Sequence, residues 1–195
     1  MNEQKRNKQN SNEVSYLIER EQCPFAVTES YKTLATNISF AIPQKENGRG
    51  KIVCIVSSIS DEGKTTVSCN LAVTIATSGA KTVLVDCDFR KHNIYRYMKI
   101  RTKIGIASYL SESHTIDEVL IKDVVPNLDV LGCEKSVPNP AVLLGSEHFA
   151  KLIEALEQRY DYVIIDSPPV GVVSDALLIA PKCDGTVIVV RSMLT

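Results

Sequence analysis

The 195-residue sequence predicts an α/β fold, a doubly wound and mostly parallel sheet, and three observations carry that reading. Its strand-like segments are continuous apolar, β-branched runs, as in strands covered on both faces. Segments of helical periodicity separate them, so strands and helices alternate along the chain. The first strand leads through a turn and a helix directly into a second strand, the unit that parallel pairing requires.

Residues 1–22 are polar and charged and read as a disordered N-terminal extension, leaving residues 23–195 as one domain. Thr28 is placed to cap a helix in which Tyr31, Leu34, Ala35, Ile38 and Ile42 recur at helical spacing before Pro43. Lys51 to Ser57 is the first strand. Lys64 to Ser78 reads as a helix with an apolar stripe of Val67, Leu71, Ala72, Ile75 and Ala76, ended by Gly79. Thr82 to Val85 begins the second strand. The segment from His92 to Val125 is mixed, with short helices expected around Gly105 to Leu110 and Thr115 to Ile121, and Leu128 to Leu131 reads as a further strand. Ser146 caps a helix carrying Phe149, Leu152, Ile153 and Leu156 on one face, with Glu147 four residues before Lys151. Tyr162 to Ile165 and Thr186 to Val190 are strands, with a short helix over Asp175 to Ala180 between them.

Composition excludes several classes. With 22 basic against 23 acidic residues, no global charge draws nucleic acid, and no nucleic-acid partner is expected. The six cysteines (Cys23, Cys54, Cys69, Cys87, Cys133, Cys183) are scattered, and Cys54, Cys69 and Cys87 fall in apolar segments, the pattern of reduced core thiols. His92, His114 and His148 lack ligand spacing, so no zinc site is proposed. No signal peptide and no run of about 18 apolar residues is present, which reads as a soluble, cytoplasmic chain.

Three motifs end three strands. The first, SSISDEGKTT over residues 57–66, lies between a strand and a helix, where a phosphate-binding loop belongs. Phosphate oxygens need convergent backbone N–H groups, a cation and a Mg²⁺ ligand, and Ser58, Asp61, Glu62, Gly63, Lys64, Thr65 and Thr66 are the candidates to bind ATP. The full GxxxxGKT pattern would place glycine at position 58, where Ser58 stands, so a helix start with a chance GKT is the competing reading. The second, VLVDCDFR over 83–90, brings Asp86 and Asp88 to one side of a strand end, where their repulsion calls for a hard cation; a solvated turn with Arg90 as counter-ion is the alternative. The third, YDYVIIDSPP over 160–169, delivers Asp166 after four apolar residues, the Walker B arrangement for Mg²⁺.

Together these residues resemble the bacterial tyrosine kinases of capsule and exopolysaccharide synthesis, which are P-loop NTPase-like. The likeness rests on the P-loop, on a second motif DxDxR (Asp86, Asp88, Arg90) and on DxPP (Asp166, Pro168, Pro169), and runs from about Glu29 to Arg191. It implies transfer of the ATP γ-phosphoryl group to tyrosine hydroxyls. By resemblance, Lys64 holds the β and γ phosphates, Thr65 and Asp88 hold Mg²⁺, Asp166 binds it through water, and Asp86 is the base. A membrane-anchored activator is the implied partner, placing the chain at the inner face of the membrane, with tyrosine-containing proteins as substrates.

The chain departs from the family at three places. Ser60 and Asp61 stand where the family has proline and glycine. Glu29, Lys32 and Ala35 replace a glutamate and two arginines used in ring assembly, and lysine lacks the bidentate fork of arginine. The family continues beyond the strand matching Val187 to Val190 and ends in a tyrosine cluster, so the chain reads as shortened at Thr195. Its seven tyrosines (Tyr16, Tyr31, Tyr95, Tyr97, Tyr109, Tyr160, Tyr162) form no terminal cluster; Tyr95 and Tyr97 are expected to be accessible, and Tyr160 and Tyr162 to pack around a strand. Two other functions stay open. A ParA-like or MinD-like ATPase would carry a signature lysine at position 59, which is Ile59 here, and a shortened, non-catalytic partner of an intact kinase would bind nucleotide weakly.

Overall fold

In a computed structural model, which describes residues 23–46 and 48–192, the elements in chain order are α1 (Phe25–Ala41), β1 (Lys51–Ser57), α2 (Lys64–Thr77), β2 (Thr82–Asp86), α3 (Ile94–Met98), α4 (Ile106–Leu110), α5 (Ile116–Val119), β3 (Ile121–Val125), β4 (Leu128–Leu131), α6 (Pro140–Leu144), α7 (Glu147–Arg159), β5 (Tyr162–Asp166), α8 (Asp175–Ile179), a 3₁₀ turn (Ala180–Lys182) and β6 (Gly185–Val189). The extension expected over residues 1–22 lies outside the described residues.

The strands form one sheet in the order β3-β4-β2-β5-β1-β6, parallel except for β3. Side chains alternate between its two faces. Ile52, Cys54 and Val56 of β1, with Val83, Val85, Val163 and Ile165, pack against α4 to α8, where Phe149, Leu152 and Leu156 are fully buried. Val53 and Ile55, with Leu84 and Ile164, pack against α1, α2 and α3. Both faces are therefore covered, which is why these strands read as unbroken apolar runs.

Helix α2 is more deeply buried than a single apolar stripe implies, since Ser68, Asn70 and Thr74 are also inside. Each bonds back to a carbonyl one turn earlier: Ser68 Oγ to Lys64 O (3.0 Å), Asn70 Nδ2 to Thr66 O (2.9 Å) and Thr74 Oγ1 to Asn70 O (2.7 Å). That satisfaction is what permits polar residues between sheet and α1. Gly79 follows at φ 98°, the left-handed stop expected of it. Ser146 caps α7 as expected, its Oγ accepting from Phe149 N at 3.1 Å, and Lys151 pairs with Glu147 at 2.9 Å.

Four readings need correction. Helix α1 begins at Phe25 after Pro24, so Thr28 lies inside it and is not its cap; proline's fixed φ starts the helix without a side-chain bond. The segment expected to be helical as far as Ile121 ends at Val119, and Ile121–Val125 is an antiparallel edge strand, returning through Pro126 and Asn127 (φ 65°) into β4. The helices α3 and α6, each of five residues, are additional to those expected. Tyr95 and Tyr97 are not accessible, because both hydroxyls are buried, and burial pushes the Tyr97 hydroxyl up to about 12. Tyr160 and Tyr162 do pack around β5, half-buried, with the Tyr160 hydroxyl donating to Asp129.

The weakened assembly motif closes on itself: Lys32 Nζ meets Glu29 Oε1 at 2.8 Å on one turn of α1, while Ala35 packs on the core. No helix among the described residues is long and apolar enough to cross a membrane.

Candidate active site

Because β2, β5 and β1 are adjacent and parallel, their carboxyl ends lie side by side, and Asp86 stands opposite Asp166 in register. The three motifs, separated by as much as 100 residues, therefore meet at one sheet edge. Above them opens a cavity of about 320 Å³. Ser57, Ser60, Asp61, Gly63, Lys64, Thr65 and Thr66 of the loop line it, opposite Asp88, Lys91, Asn93, Arg96 and Tyr97, with Pro169 and Arg191 at the sides.

The loop after β1 turns by two left-handed residues, Asp61 (φ 68°) and Gly63 (φ 95°), the second lying directly before α2. This puts the backbone N–H groups of the first turn of α2 at the cavity, with the positive end of the helix dipole. Position 61 is where the resembling family has glycine. Aspartate is among the few residues that accept this conformation, and its side chain turns outward, 85% exposed, 3.7 Å from Lys91 Nζ. Ser58 and Glu62, candidates by position, lie outside the cavity wall. Glu62 is buried and braces the loop, accepting from Ile59 N at 2.9 Å and from Arg191 N at 3.4 Å.

Asp166 organises the floor. It is fully buried and accepts from Lys64 Nζ (2.7 Å), Thr65 Oγ1 (2.7 Å) and Ser68 Oγ (2.8 Å). Burial alone would lower the proton affinity of Lys64, but the charge and hydrogen bond of Asp166, helped by Asp88 and Asp86, raise it, so the ammonium keeps its proton. Ser68 was not among the sequence candidates. Its signal is its spacing, one helical turn after Lys64 on the face that meets β5.

Asp86 and Asp88 are held differently. The Asp88 carboxylate reaches the cavity, and its Oδ1 accepts from Arg90 N (3.3 Å) and Lys91 N (3.1 Å). Asp86 is 0% exposed, beneath the wall, accepting from Asp88 N at 3.1 Å and Ile94 N at 3.4 Å. Its proton affinity is raised well above the usual carboxylate range by burial, then by the charges of Asp166 and Asp88. The pair is not a solvated turn, and Arg90 is not its counter-ion. Arg90 instead donates through Nε to Asp175 Oδ2 at 3.2 Å, tying the 86–93 loop to the start of α8.

The oxygen donors at the cavity suit a hard cation. Among the described residues no group of three or more Asp, Glu, His or Cys side chains is arranged to hold a metal. A hydroxyl and two carboxylates fit Mg²⁺, which takes few protein ligands and fills its octahedron with phosphate oxygens and water.

Comparison with known proteins then decides the family. The model of the AAA domain family matches residues 50–193. The tyrosine-protein kinase CpsD of Streptococcus agalactiae is 40% identical over 165 residues, which is 84% of this chain and 70% of that protein. The chain belongs to the bacterial tyrosine-protein kinases. Among solved structures of this family, the kinase domain of the Escherichia coli tyrosine kinase ETK superposes with a TM-score of 0.79 at 28% identity, covering 89% of this chain and 70% of that one. The septum site-determining protein MinD from Pyrococcus horikoshii, solved with Mg-ADP, gives a TM-score of 0.63 at 23% identity over 72% of this chain and 57% of that one, and shares the fold. The fold is thus that of P-loop nucleotide-binding proteins, and family membership favours the tyrosine kinase over the MinD-like alternative.

Proposed function

We propose that this kinase transfers the γ-phosphoryl group of Mg-ATP to tyrosine in capsular or extracellular polysaccharide synthesis, under a membrane-anchored activator that keeps it at the inner face of the membrane. The observation that carries the reading is the convergence on Asp166 of Lys64, Thr65 and Ser68 below a cavity that Asp88 also lines. In the working assignment, Lys64 would hold the β and γ phosphates, the Thr65 hydroxyl and Asp88 would supply oxygens to Mg²⁺, and Asp166 would hold that ion through water. Such transfer depends on positioning and charge stabilisation, with little demand on a base.

Asp86 is assigned the tyrosine proton. Burial, then the charges of Asp166 and Asp88, raise its proton affinity above the usual carboxylate range, the direction a base requires, and it lies directly behind Asp88. Ser60, Asp61, Gly63 and Thr66 complete the loop around the phosphates, with Ser58 and Glu62 holding its shape.

The test is phosphotyrosine by mass spectrometry after incubation with Mg-ATP and the cytoplasmic tail of the activator, beside Lys64→Ala. Phosphotyrosine that depends on Lys64 supports the kinase. Phosphate release without phosphotyrosine would mark an ATPase, and neither product would mark a non-catalytic partner of another kinase.

A further inference from the structure

Between Phe89 and Ser111 the chain carries Arg90, Lys91, Arg96, Lys99, Arg101 and Lys103 and no acidic residue. In a chain of nearly neutral net charge this is a local excess of six cations. Arg90 is taken by Asp175 and Lys91 lies by Asp61, whereas Arg96, Lys99, Arg101 and Lys103 form no ion pair among the described residues. A solvated helix face of a folded domain usually mixes signs. This one does not, and it begins in the wall of the phosphate cavity, which Lys91 and Arg96 line.

Its geometry is regular. From Lys99 to Ile104 exposure alternates, with Lys99, Arg101 and Lys103 exposed while Ile100, Thr102 and Ile104 are half-buried. Ile100 packs on one face of the core and Ile104 on the other, and Thr102 Oγ1 bonds to Ile104 O at 2.8 Å. The ribbon is thereby anchored on one side and presents three cations on the other. Lys99 ends α3 in the left-handed conformation at φ 56°, so the chain turns there before Arg101 and Lys103 follow on the exposed side. Three exposed cations with no carboxylate among them suit an acidic peptide.

We propose that the ribbon Lys99, Arg101 and Lys103, continuing from Arg96, docks the acceptor peptide and selects tyrosines with carboxylates nearby in sequence. This rests on the tyrosine-kinase reading and names its substrate class. The cations start at the cavity where the γ-phosphate would lie, so a tyrosine entering there has its flanking residues over the ribbon. A peptide of this chemistry occurs in the chain's own sequence, where Tyr16 is followed by Glu19 and Glu21. The six tyrosines of the described residues are all partly buried, so none offers a fully exposed acceptor on the folded surface.

The experiment measures fluorescence-anisotropy binding of a labelled peptide of residues 12–22 to the full chain, against the same peptide with Glu19→Gln and Glu21→Gln. The charged peptide is expected to bind about tenfold more tightly, with the preference shrinking at high salt. The triple variant Lys99→Glu, Arg101→Glu, Lys103→Glu should abolish the preference, while Lys122→Glu with Lys151→Glu, elsewhere on the surface, should keep it. If the triple variant does not fold, single glutamine replacements, each costing about twofold to threefold, make the same comparison. Equal binding of both peptides overturns the proposal, as does binding of phosphatidylglycerol vesicles through the same three cations without peptide binding. Adding Mg-ATP and the activator tail to the same mixtures separates the two readings: selective binding without phosphotyrosine on either peptide supports the dock and counts against the kinase activity.

Discussion

The two ends of the central sheet both gather charge, and they balance it in opposite ways. At the amino ends the charges meet side chains of the other sign or backbone groups. Lys45 lies between Glu157 and Asp184, Arg49 reaches Glu157 at 3.2 Å, and the Asp161 carboxylate receives Lys81 N at 2.7 Å. At the carboxyl ends, three buried carboxylates, Asp86, Asp88 and Asp166, share one buried ammonium, Lys64. Three carboxylates face one ammonium, and burial, together with the charges of Asp166 and Asp88, raises the proton affinity of Asp86. The first arrangement stabilises a fold; the second is the one that the proposed divalent cation and nucleotide would complete.

The largest effect expected is from Lys64→Ala, which removes the one buried cation of the carboxyl edge among the described residues. It should abolish phosphotyrosine and, near neutral pH, destabilise the apo chain by about 3 kcal/mol in chemical denaturation, because breaking a buried pair strands its partner. A stability unchanged by this variant would break the comparison. Next comes Mg-ATP at 100 times its dissociation constant, which should stabilise the chain by about 2.7 kcal/mol in the same assay. Lys64→Ala should lose that gain.

At the amino edge, Glu157→Gln should cost about 1 to 2 kcal/mol, since this 8%-exposed carboxylate serves both Lys45 and Arg49, and should leave nucleotide binding intact. The smallest expected effect has the opposite sign. The proton affinity of Asp86 is raised in the folded state, so its contribution is present below the unfolded pKa and lost as pH rises through the folded one. Asp86→Asn should remove that loss, giving a melting temperature equal to or above the parent at pH 8 and a flatter stability profile, while phosphotyrosine falls. A variant less stable at pH 8 than at pH 5, relative to the parent, would show that the charge of Asp86 is compensated after all.

Much of this was legible along the chain, for identifiable reasons. β1, β2 and β5 are apolar on both faces and announce themselves, and α7 has both its cap, Ser146, and a one-sided apolar face. β3 did not, because Ile121–Val125 is an edge strand with Lys122 and Asp123 exposed, and its polar exterior hides the pattern. Thr28 looked like a cap because its side chain suits one, but Pro24 had already started the helix. Lys64, Thr65, Asp88 and Asp166 stand out as candidates by type and position, since phosphate and Mg²⁺ chemistry restricts which residues could serve, and the fold brings them to one sheet edge.

What the sequence determined by itself was local: the periods of the elements, the turn before α2, and the delivery of one acidic residue by each of two strands. Tertiary structure alone decided that β5 lies between β1 and β2, because no local rule orders parallel strands. From that order follow the three donors on Asp166 and the facing of Asp86 and Asp166, while the packing of α3 on the core hides the hydroxyls of Tyr95 and Tyr97. Burial and through-space charge are properties of neighbours distant in sequence, and only the folded chain brings those neighbours together.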